Sequence, residues 1–214
     1  MFTQRSLVVL TALLLVPFWS VRSDDGAREV IEKVRKKYDS IQDARLKFSQ
    51  TVRFERTNLE QSSDGTLLLK KGNRYRLELG EQTIVTNGAT VWSYSRGTNQ
   101  VIIDKFKMDE RLLTPEKVLS GAPEDFVPTF LGKEKIAGRD VVALKLVPRN
   151  DQSFMSSLKL WVEDSSWLIR KAEVTDANGK KTEYEIEDVL MNTGLDDSLF
   201  SYEIPAGADV VDLR

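Results

Sequence analysis

TLLLKKGNRYRLELGEQTIVTNGATVWSYSRGTNQVIIDKF, residues 66–106, decides the architecture. Within it Tyr75, Leu77 and Leu79 alternate with Arg74, Arg76 and Glu78, the period of two that marks a strand with one greasy and one solvated face. Turn-forming residues interrupt the run at short intervals, at Lys71-Gly72-Asn73, Gly80, Asn87-Gly88 and Arg96-Gly97. Strands at 66–70, 75–79, 83–86, 90–95 and 100–106 therefore form an antiparallel meander.

Upstream, the same period holds from Asp43: Ala44, Leu46, Phe48, Val52 and Phe54 alternate with Arg45, Lys47, Ser49, Thr51 and Arg53. Gln50 breaks this apolar face, either as a buried amide that needs a partner or as a position near the sheet margin. Residues 56–64 are polar and read as a loop. Before the strand, residues 25–40 have helical spacing, with Val30, Ile31, Val34 and Tyr38 on one stripe and charged residues opposite.

Downstream, residues 107–131 depart from the pattern. Thr114-Pro115-Glu116 is a helix start and Gly121 a stop, while Leu112, Leu113, Val118, Leu119, Phe126, Val127, Phe130 and Leu131 supply more apolar surface than a connection needs. This segment should cover something. Strands resume at 135–137, 141–147, 158–163, 167–175 and 182–191, with Asn178-Gly179 as a hairpin turn, and the tail from Leu199 to Val211 offers a last edge strand.

The expected fold is mainly β, a single strongly curved antiparallel sheet of about eleven strands covered by two or three short helices. A sheet of this size with one apolar face must close, stack or be covered. If the helices do not fill its concave side, an apolar cavity remains. Periodicity alone leaves Phe48, Tyr75, Trp92, Tyr94, Trp161 and Trp167 open between core and cavity wall, and favours core.

Composition removes most chemistry. The chain of 214 residues contains no histidine and no cysteine, so it has no imidazole or thiolate ligands for an ordinary zinc site and no Ser-His or Cys-His nucleophile pair. No phosphate-binding glycine loop or nucleophile elbow appears. These absences argue against an enzyme and against a cofactor or metal. With a net charge of −2 and no basic cluster, nucleic acid is a poor partner.

Residues 1–23 read as a secretory signal peptide cleaved after about Ser23: Arg5, an apolar run from Leu7 to Phe18 too short to span a bilayer, then Val21-Arg22-Ser23. Residues 24–214 then make one domain. Without a cysteine, the new N-terminus cannot carry a thioether-linked lipid.

Phe48-Ser49-Gln50, Gly65 before a strand ending Lys70-Lys71, Arg74-Tyr75-Arg76, Asn87-Gly88 followed by Val91-Trp92-Ser93-Tyr94, and the closing Leu199-Phe200-Ser201-Tyr202-Glu203-Ile204-Pro205-Ala206-Gly207-Ala208 together resemble the outer-membrane lipoprotein carrier family, LolA. The likeness spans essentially the whole of residues 24–214. It implies an unclosed β-barrel under a helical lid, and a monomeric periplasmic chaperone without cofactors. Such a carrier takes acylated lipoproteins from an inner-membrane ABC-type release complex to an outer-membrane acceptor. Acyl-chain contacts would come from Leu46, Phe48, Leu67, Leu69, Tyr75, Leu77, Leu79, Trp92 and Tyr94, and lid contacts from Val30, Val34, Val118 and Leu119 on the helices at about 25–40 and 107–131. Where members often carry Arg-Pro, this chain has Lys71-Gly72, which removes a bidentate fork. Lys71 shares strand parity with Leu67 and Leu69, so it is either a point-charge latch to lid carbonyls or an exposed turn lysine. Two other readings fit the same scaffold: a lipoprotein-sensing regulatory module, and a shuttle for another lipid.

Overall fold

A computed structural model describes residues 25–54, 57–107, 125–150 and 153–214. The chain runs through α1 (Asp25–Asp39), β1 (Asp43–Phe54), β2 (Leu59–Lys70), β3 (Arg74–Leu79), β4 (Gln82–Asn87), β5 (Thr90–Ser95) and β6 (Gln100–Lys105). It continues through β7 (Phe126–Ile136), β8 (Arg139–Pro148), β9 (Met155–Glu163), β10 (Ile169–Asp176), β11 (Lys181–Met191), a 3-10 turn (Asp197–Phe200) and β12 (Asp209–Asp212). These strands lie in one curved, unclosed sheet, ordered β12-β6-β5-β4-β3-β2-β1-β11-β10-β9-β8-β7. Among the described strands β12 alone runs parallel to its neighbour, β6; the other pairs are antiparallel.

β1 and β11 join the two meanders in long-range register, with Leu46 opposite Val189 and Gln50 opposite Tyr184. A bulge at Lys47/Phe48 shifts that register by one residue and keeps the apolar sets on one face. At the start of β1 the Asp43 carboxylate accepts hydrogen bonds from Thr193 N at 2.8 Å, Gly194 N at 3.0 Å and Thr193 Oγ1 at 3.2 Å. Burial opposes its charge, but these donors outweigh it and hold the carboxyl below its ordinary value.

α1 lies on the inner face of the second meander. Ala27, Val30, Ile31 and Val34 meet Phe126, Val142, Leu144, Leu146, Leu158, Leu160, Val162, Ile169 and Val174 in the main core. Burial of Ile31 and Val34, each 1% exposed, contributes about 1.5–3 kcal/mol apiece as an upper estimate. Polar contacts fix the same helix: the Tyr38 hydroxyl accepts from Ile169 N at 3.3 Å, and Lys33 Nζ sits 4.5 Å above the Trp167 ring. Burial pushes the Tyr38 phenol up to about 12.

The outer face of the first meander carries a second core. Lys70 Nζ donates to Leu195 O at 2.6 Å and Arg74 to Asp197 at 2.7 Å, which draws the 3-10 turn onto β3 and β4. Phe200 on that turn is fully buried, as are Val85 and Val101. The tail then crosses to β6, where Asn99 Nδ2 donates to Gly207 O at 2.9 Å and β12 begins.

Three boundaries differ from the sequence reading. Residues 59–64, expected as loop, form the first half of β2, because pairing with β1 continues from Lys70 to Leu59 whatever the polarity of the side chains. Residues 126–131, expected in the covering segment, start β7, an edge strand where Pro128 needs no partner for its missing N–H. Leu199 and Phe200, expected in a strand, close the 3-10 turn capped by Asp196. The expected helix at 114–120 lies outside the described residues, as do residues 1–23.

Candidate functional site

Residues opposite one another in an antiparallel ladder share a face, so register sorts the candidate positions. Ala44, Leu69, Tyr75 and Thr86 form one row across β1–β4, and Leu46, Leu67, Leu77 and Ile84 form the next. A third row reads Phe48, Gly65, Leu79 and Gln82. On its other side β1 continues the same face through Ile186 and Tyr184 to Ala172, Leu160 and Leu144, beneath α1. Leu46, Phe48, Leu67, Leu69, Tyr75, Leu77 and Leu79 thus form a continuous apolar floor on the inner face beside the helix-covered core.

Trp92 and Tyr94 are not brought to this floor. Trp92 stands opposite Val85 and Ile103, and Tyr94 opposite Thr83 and Val101, in the outer set with Leu68 and Arg76. On that outer side the tail meets one of them: the Tyr202 ring lies 6.0 Å from that of Tyr94. On the inner side β5 presents Val91, Ser93 and Ser95.

Among the lid candidates, Val30 and Val34 sit in the core over β7–β10, beside the floor. Val118 and Leu119 lie outside the described residues. Lys71 Nζ donates to Asp39 O at 3.0 Å, the last residue of α1, while Lys71 N donates to Gln42 O at 3.0 Å. A cation there also faces the negative end of the helix dipole.

The floor has a specific relief. Gly65 lies under the Phe48 ring so closely that a Cβ added there would meet Phe48 Cζ at 2.4 Å. Phe48 in turn packs a tilted ring 6.1 Å from Tyr184. Gln50, the break in the apolar face, finds its partner across β11: Nε2 donates to the Tyr184 hydroxyl at 3.1 Å. Burial raises the Tyr184 phenol above its ordinary value, against the lowering effect of Gln50. Tyr184 and Ile84 are floor residues that the sequence reading did not single out; Tyr184 alternates with Ile186 on β11, but only the β1–β11 register places it beside Phe48.

No cluster of three or more acidic residues that could hold a metal occurs among the described residues. What the surface can do is hold something apolar.

Comparison with known proteins bears on what that is. Residues 39–203 match the family model described as outer membrane lipoprotein carrier protein LolA. An outer-membrane lipoprotein carrier protein of Pseudomonas paraeruginosa is 30% identical over 194 residues, covering 88% of this chain and 89% of that protein. One of Methylobacillus flagellatus is 28% identical over 213 residues, covering 97% and 98%. Among solved structures, an uncharacterized conserved protein from Thermus thermophilus superposes with a TM-score of 0.58 at 15% identity, over 87% of this chain and 99% of its own.

Proposed function

The chain belongs to the outer membrane lipoprotein carrier protein LolA family, and on that premise we propose that it is a periplasmic carrier that holds the acyl chains of lipoproteins on its inner face. It takes them from an inner-membrane ABC-type release complex to an outer-membrane acceptor after export and removal of residues 1–23. The observation that carries this reading is the one-sided apolar floor of Leu46, Phe48, Leu67, Leu69, Tyr75, Leu77 and Leu79, separate from the core that α1 already fills.

The floor suits a carrier because lipid binding needs apolar area and no reacting group; each buried methylene contributes up to about 0.8 kcal/mol. Release needs a cover that competes for the same surface, so that loading exchanges one apolar contact set for another. The segment around Val118 and Leu119 is the proposed cover. The Lys71 contact to Asp39 ties the end of α1 to the β2–β3 turn and is the proposed latch, a point charge in place of a guanidinium fork.

Native mass spectrometry of the protein purified from the periplasm tests the reading. Co-purifying acylated lipoprotein supports it. A free lipid alone would favour a general lipid shuttle, and a membrane signalling protein with no lipid would favour a regulatory module.

A further inference from the structure

The inner face is not apolar from end to end. Beyond the Phe48 row, β1 and β2 present Gln50 opposite Ser63 and Val52 opposite Gln61, while β11 presents Tyr184 and Thr182. At the same end the shorter strands finish their inner face with Gln82, Ser95 and Gln100. β2 runs past its neighbour here: Gly65 pairs with Leu79, and Ser63 and Gln61 lie beyond the last pair with β3. The polar rows therefore stand at the margin of the first meander, and the apolar rows lie inside it.

The centre of this margin is the Gln50–Tyr184 pair. Because the Tyr184 oxygen accepts from Gln50 Nε2, its own proton is left to donate elsewhere, and no further partner for that proton or for Gln50 Oε1 occurs among the described residues. Both side chains are half-buried, which makes an offered donor worth more than on an open surface. A hydrocarbon chain has nothing to give this pair; a carbonyl oxygen does. The stretch of β1 from Gln50 back to Ala44 is about 20 Å at the rise of a strand. An acyl chain that fills one leaflet of a bilayer, about 15 Å deep, fits along it.

We infer that Gln50 and Tyr184 recognise an ester or amide carbonyl at the polar junction of an acylated cargo and so set its direction, with the chains running from this pair over Phe48, Leu46 and Leu67 toward Ala44. The inference deepens the carrier reading and rests on it. Tyr184 is the donor, and Gln50 holds the phenol in place through the 3.1 Å bond. Phe48, packed against Tyr184, then marks where hydrocarbon begins.

The test compares a pyrene-labelled diacylglycerol with its dialkyl ether, which has the same chains and no carbonyl, on the wild type, Tyr184→Phe and Gln50→Met. The wild type should prefer the diacyl probe. Each substitution should weaken diacyl binding roughly 2- to 10-fold, the span of one net hydrogen bond, and leave the ether unchanged. Retained ether binding also shows that the variant is folded. Equal weakening of both probes would make the pair a packing element and overturn the inference, as would undiminished diacyl binding in both variants. If the wild type takes up neither probe, the carrier reading falls and this inference with it.

Discussion

Replacing Gly65 by alanine tests the relief of the floor. Its Cβ would lie 2.4, 2.8 and 2.9 Å from Phe48 Cζ, Cε1 and Cε2, inside any tolerable contact, so the ring must rotate or lift. Phe48 is 6% exposed and packed against Tyr184, so neither movement is free. Overpacking of this kind costs about 1–3 kcal/mol, and the gain from replacing a strand glycine offsets about 0.5–1 kcal/mol of it. The net expectation is a loss of up to about 2.5 kcal/mol, a melting temperature lower by up to about 10 °C in a domain of this size. A double-mutant cycle with Phe48→Leu isolates the contact, because the shorter side chain leaves room for the new methyl. The two changes should couple by at least about 0.5 kcal/mol, beyond the scatter of independent sites. The functional counterpart is geometric: a lifted ring occupies the space above Leu46 and Leu67, so Gly65→Ala should also weaken uptake of a fluorescent fatty-acyl probe. An alanine variant as stable as the wild type, with no coupling to Phe48, refutes the reasoning.

Leu77→Asp should abolish uptake of the same probe while Tyr94→Ala leaves it within about twofold, because register puts these residues on opposite faces; equal loss in both would sink the face assignment. Asp43→Asn should cost about 0.5–1.5 kcal/mol at pH 7 in urea unfolding. Because the native carboxyl is held below its ordinary value, its contribution is present at neutral pH and is lost as the pH falls through that lowered value, so the gap between variant and wild type should close in strong acid. For Tyr38 the sign is opposite: with the folded value raised to about 12, stability is full below about pH 10, the unfolded value, and drains away as the pH rises toward 12. Tyr38→Phe should flatten that alkaline loss in thermal melts taken between pH 9 and pH 12.

The first meander was legible because its instructions are local. Alternation at Tyr75, Leu77 and Leu79 and turn residues at Gly72, Gly80 and Gly88 sit within a few positions of what they decide. The first half of β2 was not, since Glu60, Gln61, Ser62 and Ser63 have little strand character and are held by the ladder to β1. Within the floor, parity along each strand was readable, and it placed Leu67, Leu69 and Lys71 on one side. Parity does not carry across a turn without register, so the strand pattern alone did not separate Trp92 and Tyr94 from Tyr75. The resemblance put both among the acyl-chain contacts, whereas Tyr94 packs its ring against Tyr202, more than a hundred positions away. Tyr184 escaped for the same reason, since its neighbour Phe48 is reached only through the β1–β11 pairing.

That pairing has a kinetic consequence. β1 is complete early in the chain, yet its partner β11 begins at Lys181, and the Asp43 tie closes a separation of 150 positions. Loop closure over such a span must precede the contacts that reward it, so the central joint of the sheet should form late and slowly. Until then the first meander shows a bare strand edge along β1 and a bare outer face where Phe200 will sit, both templates for wrong association. The residues after Met191 supply the Asp43 donors, the outer plug and the edge strand β12 together. A chain cut short before them loses these at one stroke, and should be cleared by proteases in place of persisting as a half-working barrel.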